Sequence, residues 1–282
     1  MSRLDFMQLR APAKINLNFR ILGRRGDGFH DVETLMAPLS LHDELSIEKS
    51  SSGEVHFSCD DETLPLGDDN LVVRAARLFL ARTKRDSGLK IGLQKRIPHG
   101  AGLGGGSSDA ATVLLALNEL FAAPLSETGL ANIGAEIGSD VPFFIFRSAA
   151  ICRGRGELVE PSGLPSPLAL LLLKPAFGVP TPWAYSRWNE SRELRGVRYS
   201  EQQFGGFSFV NDLERPVFEK QLFLARMKMW LLDQPEVGAA LLSGSGSTVF
   251  AVLRDPANAG ALARRAKAEL DPELWTFSCE TV

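Results

Sequence analysis

A run of glycines that passes without pause into an apolar helix constrains this chain more than any other stretch. From Pro98 the sequence reads Pro-His-Gly-Ala-Gly-Leu-Gly-Gly-Gly-Ser-Ser-Asp, and five of the seven residues from Gly100 to Gly106 are glycine. Such a backbone adopts conformations closed to other residues and lets a ligand approach its N–H groups. Val113, Leu114, Leu117, Leu120 and Phe121 then recur at helical spacing, with Ser107 or Ser108 expected as the cap. A loop of this kind at a helix N-terminus is an anion cradle, because free amides converge where the helix dipole is positive. The plainer reading, a flexible Gly/Ser linker, does not explain the capped apolar helix that follows at once.

The type of phosphate loop is narrowed by what is missing. No Gly-Lys-Ser or Gly-Lys-Thr occurs, so the common NTPase loop is absent. Gly100, Gly102 and Gly105 satisfy the dinucleotide spacing, but the residues after Phe121 read as another helix where that fold needs a strand and an acidic ribose ligand. Protein-kinase catalytic-loop and metal-loop signatures are also missing.

Around this centre, Ile15, Leu17, Phe19 and Ile21 alternate with Lys14, Asn16, Asn18 and Arg20, which predicts a half-buried strand over residues 13–22 with Lys14 beside Asn16. Gly26-Asp27-Gly28 predicts a turn. Strands are expected at 44–49, 55–58, 89–94, 168–173, 249–253 and 275–278. Helices are expected after Asn70, from Leu130 to Ile137 with Gly138 as the stop, from Pro216 to Leu232 and from Asn258 to Leu270. Phe177 to Tyr185 reads as an irregular loop and Gly244-Ser245-Gly246-Ser247 as a second glycine turn. Strands and helices mix without strict alternation, favouring an α+β fold.

With 282 residues, of which 44% are hydrophobic, the chain can build one large or two fused lobes. A net charge of −3 argues against nucleic acid as the main partner, and the basic clusters at Arg24–Arg25 and Arg82–Arg85 read as solvated surface. Cys59, Cys152 and Cys279 have no metal-ligand spacing and suit a reducing compartment. No apolar run reaches membrane-span length, and the N-terminus, with Arg3, Asp5 and Arg10, lacks a signal peptide's apolar region. A cytoplasmic protein is expected.

Three ordered segments, Pro12-Ala13-Lys14-Ile15-Asn16-Leu17, the Pro98–Asp109 loop and Gly244-Ser245-Gly246, resemble the motifs of the GHMP kinases, the superfamily of galactokinase, homoserine kinase, mevalonate kinase and phosphomevalonate kinase. Five further stretches, Gly23 to His30, Asp69 to Leu71, Gly138 to Phe144, Pro180 to Tyr185 and Asn211-Asp212-Leu213-Glu214, resemble the branch whose acceptor is a cytidine-diphosphate-linked methylerythritol of the non-mevalonate isoprenoid route. The similarity runs from about Pro12 to Leu253.

That resemblance implies a two-lobed GHMP kinase fold, residues 1–155 and 156–282, with the active site in the cleft between lobes. It implies ATP as donor, Mg2+ as cofactor and the acceptor's 2-hydroxyl as the site of phosphorylation. It makes Asp140 the base and Lys14 its charge partner. Pro98, Gly100, Gly102, Leu103, Gly104, Gly105, Gly106, Ser107 and Ser108 would hold ATP, with Asn70 and Lys95 adding contacts. Asn16 and Thr181 would meet the methylerythritol, Phe29 and Tyr185 would sandwich the cytosine, and His30 would bond its edge. Phe29 keeps the ring of the tyrosine often found there and lacks its hydroxyl. Gly244 and Gly246 would lie near the transferred phosphate, and magnesium would rely on ATP phosphates, water and the Ser108 hydroxyl. Only small molecules are expected as partners, with the chain a monomer or weak homodimer.

Taken singly, these residues keep ordinary readings. Asp140 reads equally as a helix cap, Lys14 as a solvated strand lysine, Asn70 and Lys95 as surface, Thr181 as a loop residue and Phe29-His30 as packing. Another small-molecule kinase of the same superfamily, or a catalytically silent nucleotide sensor, are the rival functions.

Overall fold

The computed structural model describes residues 6–164 and 166–282, so Arg3 and Asp5 lie outside the described residues. The predicted strand at 13–22 extends well beyond both ends as β1, Phe6–Arg24, which runs antiparallel to β2, His30–Ser50. The expected turn joins them: the Asp27 carboxylate accepts the Phe29 amide at 3.1 Å, and Gly28 sits at φ +88. The β1–β2 ladder shifts register between Pro12 and Lys14 and again between Asn16 and Asn18. Such irregularities bend a strand and re-aim its side chains. Here they bracket Lys14 and Asn16.

β3, Val55–Cys59, pairs in parallel with β4, Gly88–Gln94, which lies against the far half of β2. Between them α1, Leu71–Thr83, starts where the Asn70 carboxamide accepts the Val72 amide at 2.9 Å. The glycine-loop helix is α2, Gly105–Leu120, but neither Ser107 nor Ser108 caps it. Gly104 does, at φ +72, with no side-chain cap, and both serines fall within the first turn. α3, Glu127–Ile137, ends at Gly138 as expected, and α4, Val141–Phe146, follows. β5, Ala150–Gly154, and β6, Leu158–Pro161, form a hairpin on β2.

β7, Ala169–Lys174, opens the second sheet. The predicted loop at 177–185 is only half a loop, since α5, Thr181–Arg187, begins within it. Pro182 falls in its first turn, where a missing N–H leaves no helical bond unmade. β8, Gln202–Phe204, and β9, Phe207–Asn211, return to the first sheet, β9 parallel to β1 at Asn18 and Phe19. The expected helix 216–232 is two helices, α6, Glu214–Lys220, and α7, Leu222–Leu232, broken at Gln221 with φ −114 and ψ 72. The break re-phases the inward face: Leu222 is 63% exposed, whereas Leu224, Met227, Lys228 and Leu231 are buried. β10, Val237–Leu242, β11, Val249–Leu253, α8, Ala259–Glu269, and β12, Trp275–Glu280, complete the chain, and the second sheet is ordered β10-β11-β7-β12.

Three apolar clusters hold these layers. α1 to α4 pack on the first sheet through Phe79, Leu114, Leu117 and Phe143 against Ile47, Ile91 and Leu93. The two sheets meet face to face through Ile15, Leu17, Leu39 and Leu41 against Leu170, Leu172, Leu241 and Phe250. α6, α7 and α8 cover the other face of the second sheet through Phe218, Met227, Leu231 and Leu262.

The α6–α7 layer encloses one ion pair. Glu214 and Lys228 have side chains 1% exposed and 2.5 Å apart. Lys228 Nζ also donates to the Arg198 carbonyl at 2.6 Å, and Glu214 Oε1 accepts the Leu242 amide at 3.0 Å. Burial pushes the Glu214 carboxyl up, opposed by Lys228. Lys228→Met leaves that carboxylate buried without a cation and is expected to cost about 3–5 kcal/mol in a urea melt. The double variant with Glu214→Gln is expected to recover part of the loss.

Candidate active site

The expected strand lysine is not solvated. Lys14 is 4% exposed, and its Nζ donates to Asn16 Oδ1 at 2.8 Å and to the Gly102 carbonyl at 3.1 Å. Its third direction faces Asp140 Oδ2 at 3.6 Å. Behind it Asn16 Nδ2 donates to Thr34 Oγ1 at 2.8 Å, and the Thr34 hydroxyl donates to the Asn18 carbonyl at 2.6 Å. The ammonium is thus fixed by β1, the glycine loop and the start of α4 together. Asp140 occupies the N-cap position of α4 yet makes no capping bond, and its side chain is 36% exposed. A helix cap does not account for it.

The glycine loop forms one wall of a cleft of about 400 Å³. Pro98, Gly100, Gly102, Leu103, Gly104, Gly105, Gly106 and Ser107 line it, as do Lys14, Asn16, Asn70, Lys95, Asp140, Thr181, Tyr185 and Gly244. Of the residues expected around ATP and the transferred phosphate, two stand apart. Ser108 is fully buried behind the wall with its hydroxyl unpartnered, and Gly246 lies beneath Gly102. The fit is close at Gly104, where an added Cβ would lie 2.9 Å from both Lys14 Cγ and Phe144 Cζ. With no side chain capping α2, its first-turn amides are available to an anion.

Asn70 and Lys95 line the cleft but are already engaged. Asn70 caps α1 and donates to the Pro65 carbonyl at 2.8 Å. Lys95 Nζ is clasped by Asp43 and by Asp109 Oδ2, the latter at 2.9 Å. Burial disfavours the Lys95 ammonium, but Asp109 and Asp43 outweigh it and hold its pKa above the ordinary lysine value. Burial pushes the Asp109 carboxyl up to about 7 despite Lys95. Asp43, which also accepts the Arg96 and Ile97 amides at 2.6 and 2.8 Å, fixes the strand end that leads into the loop.

The opposite wall comes from the second glycine turn. Ser243 Oγ donates to the Gly102 carbonyl at 3.0 Å and the Thr248 amide to the Ala101 carbonyl at 3.1 Å, so the two glycine segments are stitched together. Thr181 Oγ1 lies 2.7 Å from Ser245 Oγ. Asn211, part of the Asn-Asp-Leu-Glu stretch, donates to the Leu242 and Gly244 carbonyls at 2.8 and 2.7 Å and so holds the turn against Lys14.

A second chamber of about 530 Å³ adjoins the cleft, lined by Phe29, His30 and Tyr185 among others. The rings are not arranged as an open sandwich here. Tyr185 stacks on His30 at 5.3 Å, and Phe29, 51% exposed, lies under the Arg155 guanidinium at 4.9 Å. Burial and the charge of Arg24 hold His30 below its usual pKa, while burial and Asp140 raise that of Tyr185. Thr34, Asp43 and Arg155 carry this geometry and were not singled out by the sequence, while Asp109 and Asn211 stood in motif-like stretches without a role of their own. Each acts through neighbours distant in the chain, a relation that local patterning does not display.

A family model described as the GHMP kinases N terminal domain matches residues 70–148, and one described as GHMP kinases C terminal matches residues 201–271. Together they cover more than half of the chain. The chain belongs to the GHMP kinase family. This GHMP kinase is similar to the 4-diphosphocytidyl-2-C-methyl-D-erythritol kinase of Methylacidiphilum infernorum (isolate V4), at 44% identity over 98% of this chain and 96% of that one. It is similar to the protein of the same name from Syntrophotalea carbinolica at 43% identity over 90% and 91% of the two chains. A crystal structure of 4-(cytidine 5'-diphospho)-2C-methyl-D-erythritol kinase superposes with a TM-score of 0.78 at 36% identity, covering 97% of this chain and 98% of that one. A homoserine kinase from Cytophaga hutchinsonii shares the fold, with a TM-score of 0.70 at 18% identity over 100% and 96%. The chain is an ATP-dependent kinase of α+β architecture. Among the described residues no helix is long and apolar enough to cross a membrane.

In this GHMP kinase, Gly104→Ala forces alanine to a positive φ, at a cost of about 1–2 kcal/mol, and thrusts its methyl against Lys14. Calorimetric titration is expected to show weakened ATP binding while the far-ultraviolet circular dichroism stays unchanged.

Proposed function

We propose that this GHMP kinase transfers the γ-phosphoryl group of ATP to the 2-hydroxyl of 4-diphosphocytidyl-2-C-methyl-D-erythritol, a step of non-mevalonate isoprenoid precursor synthesis. One observation carries the reading. Asp140, 3.6 Å from Lys14, lines both the glycine-walled cleft and the aromatic chamber, at the junction where an acceptor would meet the donor. The names of the similar proteins support the choice of acceptor.

The acceptor is a tertiary alcohol, a poor nucleophile until its proton is taken, and Asp140 accepts that proton. A base so placed contributes about 10²–10⁴-fold in rate. Lys14, held by Asn16 and the Gly102 carbonyl, offsets charge on the acceptor oxygen and the transferring group. The amides from Gly104 to Ser107 hold the triphosphate at the α2 N-terminus. Asn16 and Thr181 meet the methylerythritol, Gly244 lies near the transferred phosphate with Gly246 supporting the turn from beneath Gly102, and Phe29, His30 and Tyr185 bind the cytosine. Stacking of this kind contributes about 1–3 kcal/mol per base.

Mg2+ would be held by ATP phosphates and water; the Ser108 hydroxyl expected beside it is fully buried behind the cleft wall and does not fit that role as it stands. The ion supplies neutralisation of charge across the phosphates when bound. Among the described residues no three acidic, histidine or cysteine side chains are grouped to cage a metal. The glycine loop belongs to the lobe of the first sheet, which takes in β6, β8 and β9 beyond the expected boundary at residue 155, and the second turn belongs to the lobe of the β10-β11-β7-β12 sheet. The enzyme works in the cytoplasm on small molecules, as a monomer or weak homodimer.

Purified protein offered ATP with the cytidylyl acceptor, mevalonate or homoserine is expected to phosphorylate the first alone. Phosphorylation of mevalonate without the cytidylyl compound would refute the proposal. Asp140→Asn is expected to keep ATP affinity in a calorimetric titration and to lose turnover by about 10²–10⁴-fold; near-normal turnover would remove Asp140 from the role of base.

A further inference from the structure

Four residues line both the cleft and the adjoining chamber: Asp140, Arg155, Thr181 and Tyr185. Arg155 is the cation among them. It sits in the β5–β6 turn, where its amide donates to Glu157 Oε2 at 2.6 Å and the Gly156 amide to the Arg153 carbonyl at 3.0 Å. The turn's position is further fixed by Gly156, at φ +111, where an added Cβ would lie 3.8 Å from Asp140 Oδ1. The Arg155 guanidinium reaches the other way, to 4.9 Å over the Phe29 ring. Arg155 and Gly156 together therefore span the distance from the aromatic chamber to the carboxylate of the cleft.

Its head group is also uncommitted. Arg155 Nε stands 3.6 Å from Glu157 Oε1, too long for a good hydrogen bond, with the side chain 31% exposed. The other cations near the site differ. Lys14 is held by Asn16, Gly102 and Asp140, and Lys95 by Asp43 and Asp109. Arg24 lines the chamber and not the cleft. An acceptor with its base in the chamber and its hydroxyl at Asp140 must lay its two bridging phosphates across this junction, where they bring two negative charges.

We propose that Arg155 is the specificity-determining residue for the acceptor's diphosphate, binding it through the guanidinium fork that lies over Phe29. The proposal rests on the function proposed above. Arginine suits this task because its planar donors match phosphate oxygens pairwise, which a lysine ammonium does not.

The test is calorimetric binding of cytidine and of cytidine diphosphate to the wild-type chain, Arg155→Leu and Arg155→Lys. Arg155→Leu is expected to weaken cytidine diphosphate about 10–100-fold, the range of a charged hydrogen bond, while cytidine changes less than about twofold. Arg155→Lys is expected to fall between. In turnover the same loss should appear in the KM for the cytidylyl acceptor, with the KM for ATP unmoved. Equal losses for cytidine and cytidine diphosphate would overturn the proposal, because Arg155 would then act through Phe29 or the fold. Undiminished binding of cytidine diphosphate to Arg155→Leu would overturn it too. Wild-type turnover of the cytidylyl acceptor is a separate arm: its absence refutes the proposed function, whereas the ratio of the two nucleoside affinities decides the role of Arg155.

Discussion

The position of the Lys14 ammonium governs the rest of the site. It is drawn from a buried strand, bonded to Asn16 beside it and to the Gly102 carbonyl across the interface, and turned toward Asp140 on a third segment. A buried charge is costly unless several partners share it. The chain meets that demand by bringing β1, the glycine loop and the start of α4 to one point. The Lys14 amide adds a fourth tie by donating to the Leu103 carbonyl at 2.9 Å. The same contacts that settle the charge therefore set the width of the cleft.

Charge neutrality is arranged differently at the two buried lysines lining the cleft. Lys95 lies between two carboxylates, Asp43 and Asp109, and ties the β2 strand to the start of α2. Lys14 shares one partly exposed carboxylate with solvent. The first arrangement is closed and serves to brace the loop. The second leaves one side of the ammonium open toward the cleft.

Much of this was legible in the chain itself. The glycine loop, the apolar face of the helix after it, the stop at Gly138 and the β7 and β11 strands follow from local patterning and appear at the expected residues. The misreadings have a common cause in tertiary context. A glycine rather than a serine caps α2, because the loop needs a positive φ just where the helix begins. The helix at 216–232 breaks at Gln221 because the buried Lys228 must face Glu214, an inward charge that periodicity assigns to solvent. Lys14 and Asp140 could be chosen by resemblance, but Asn211, Asp43 and Arg155 owe their importance to neighbours far along the chain. Such pairings leave no mark in a short window of sequence.

The parallel pairing of β9 with β1 carries a consequence for biosynthesis. Asn18 and Phe19, two and three residues beyond Asn16, are matched with Val210 and Asn211. On the ribosome, therefore, the strand that bears Lys14 stays an uncovered edge until roughly three quarters of the polypeptide has emerged. Non-local pairing of this kind is slow and exposes a template for wrong partners. The surroundings of Lys14 are thus among the last parts of the nascent protein to mature, and errors late in translation would strand them incomplete.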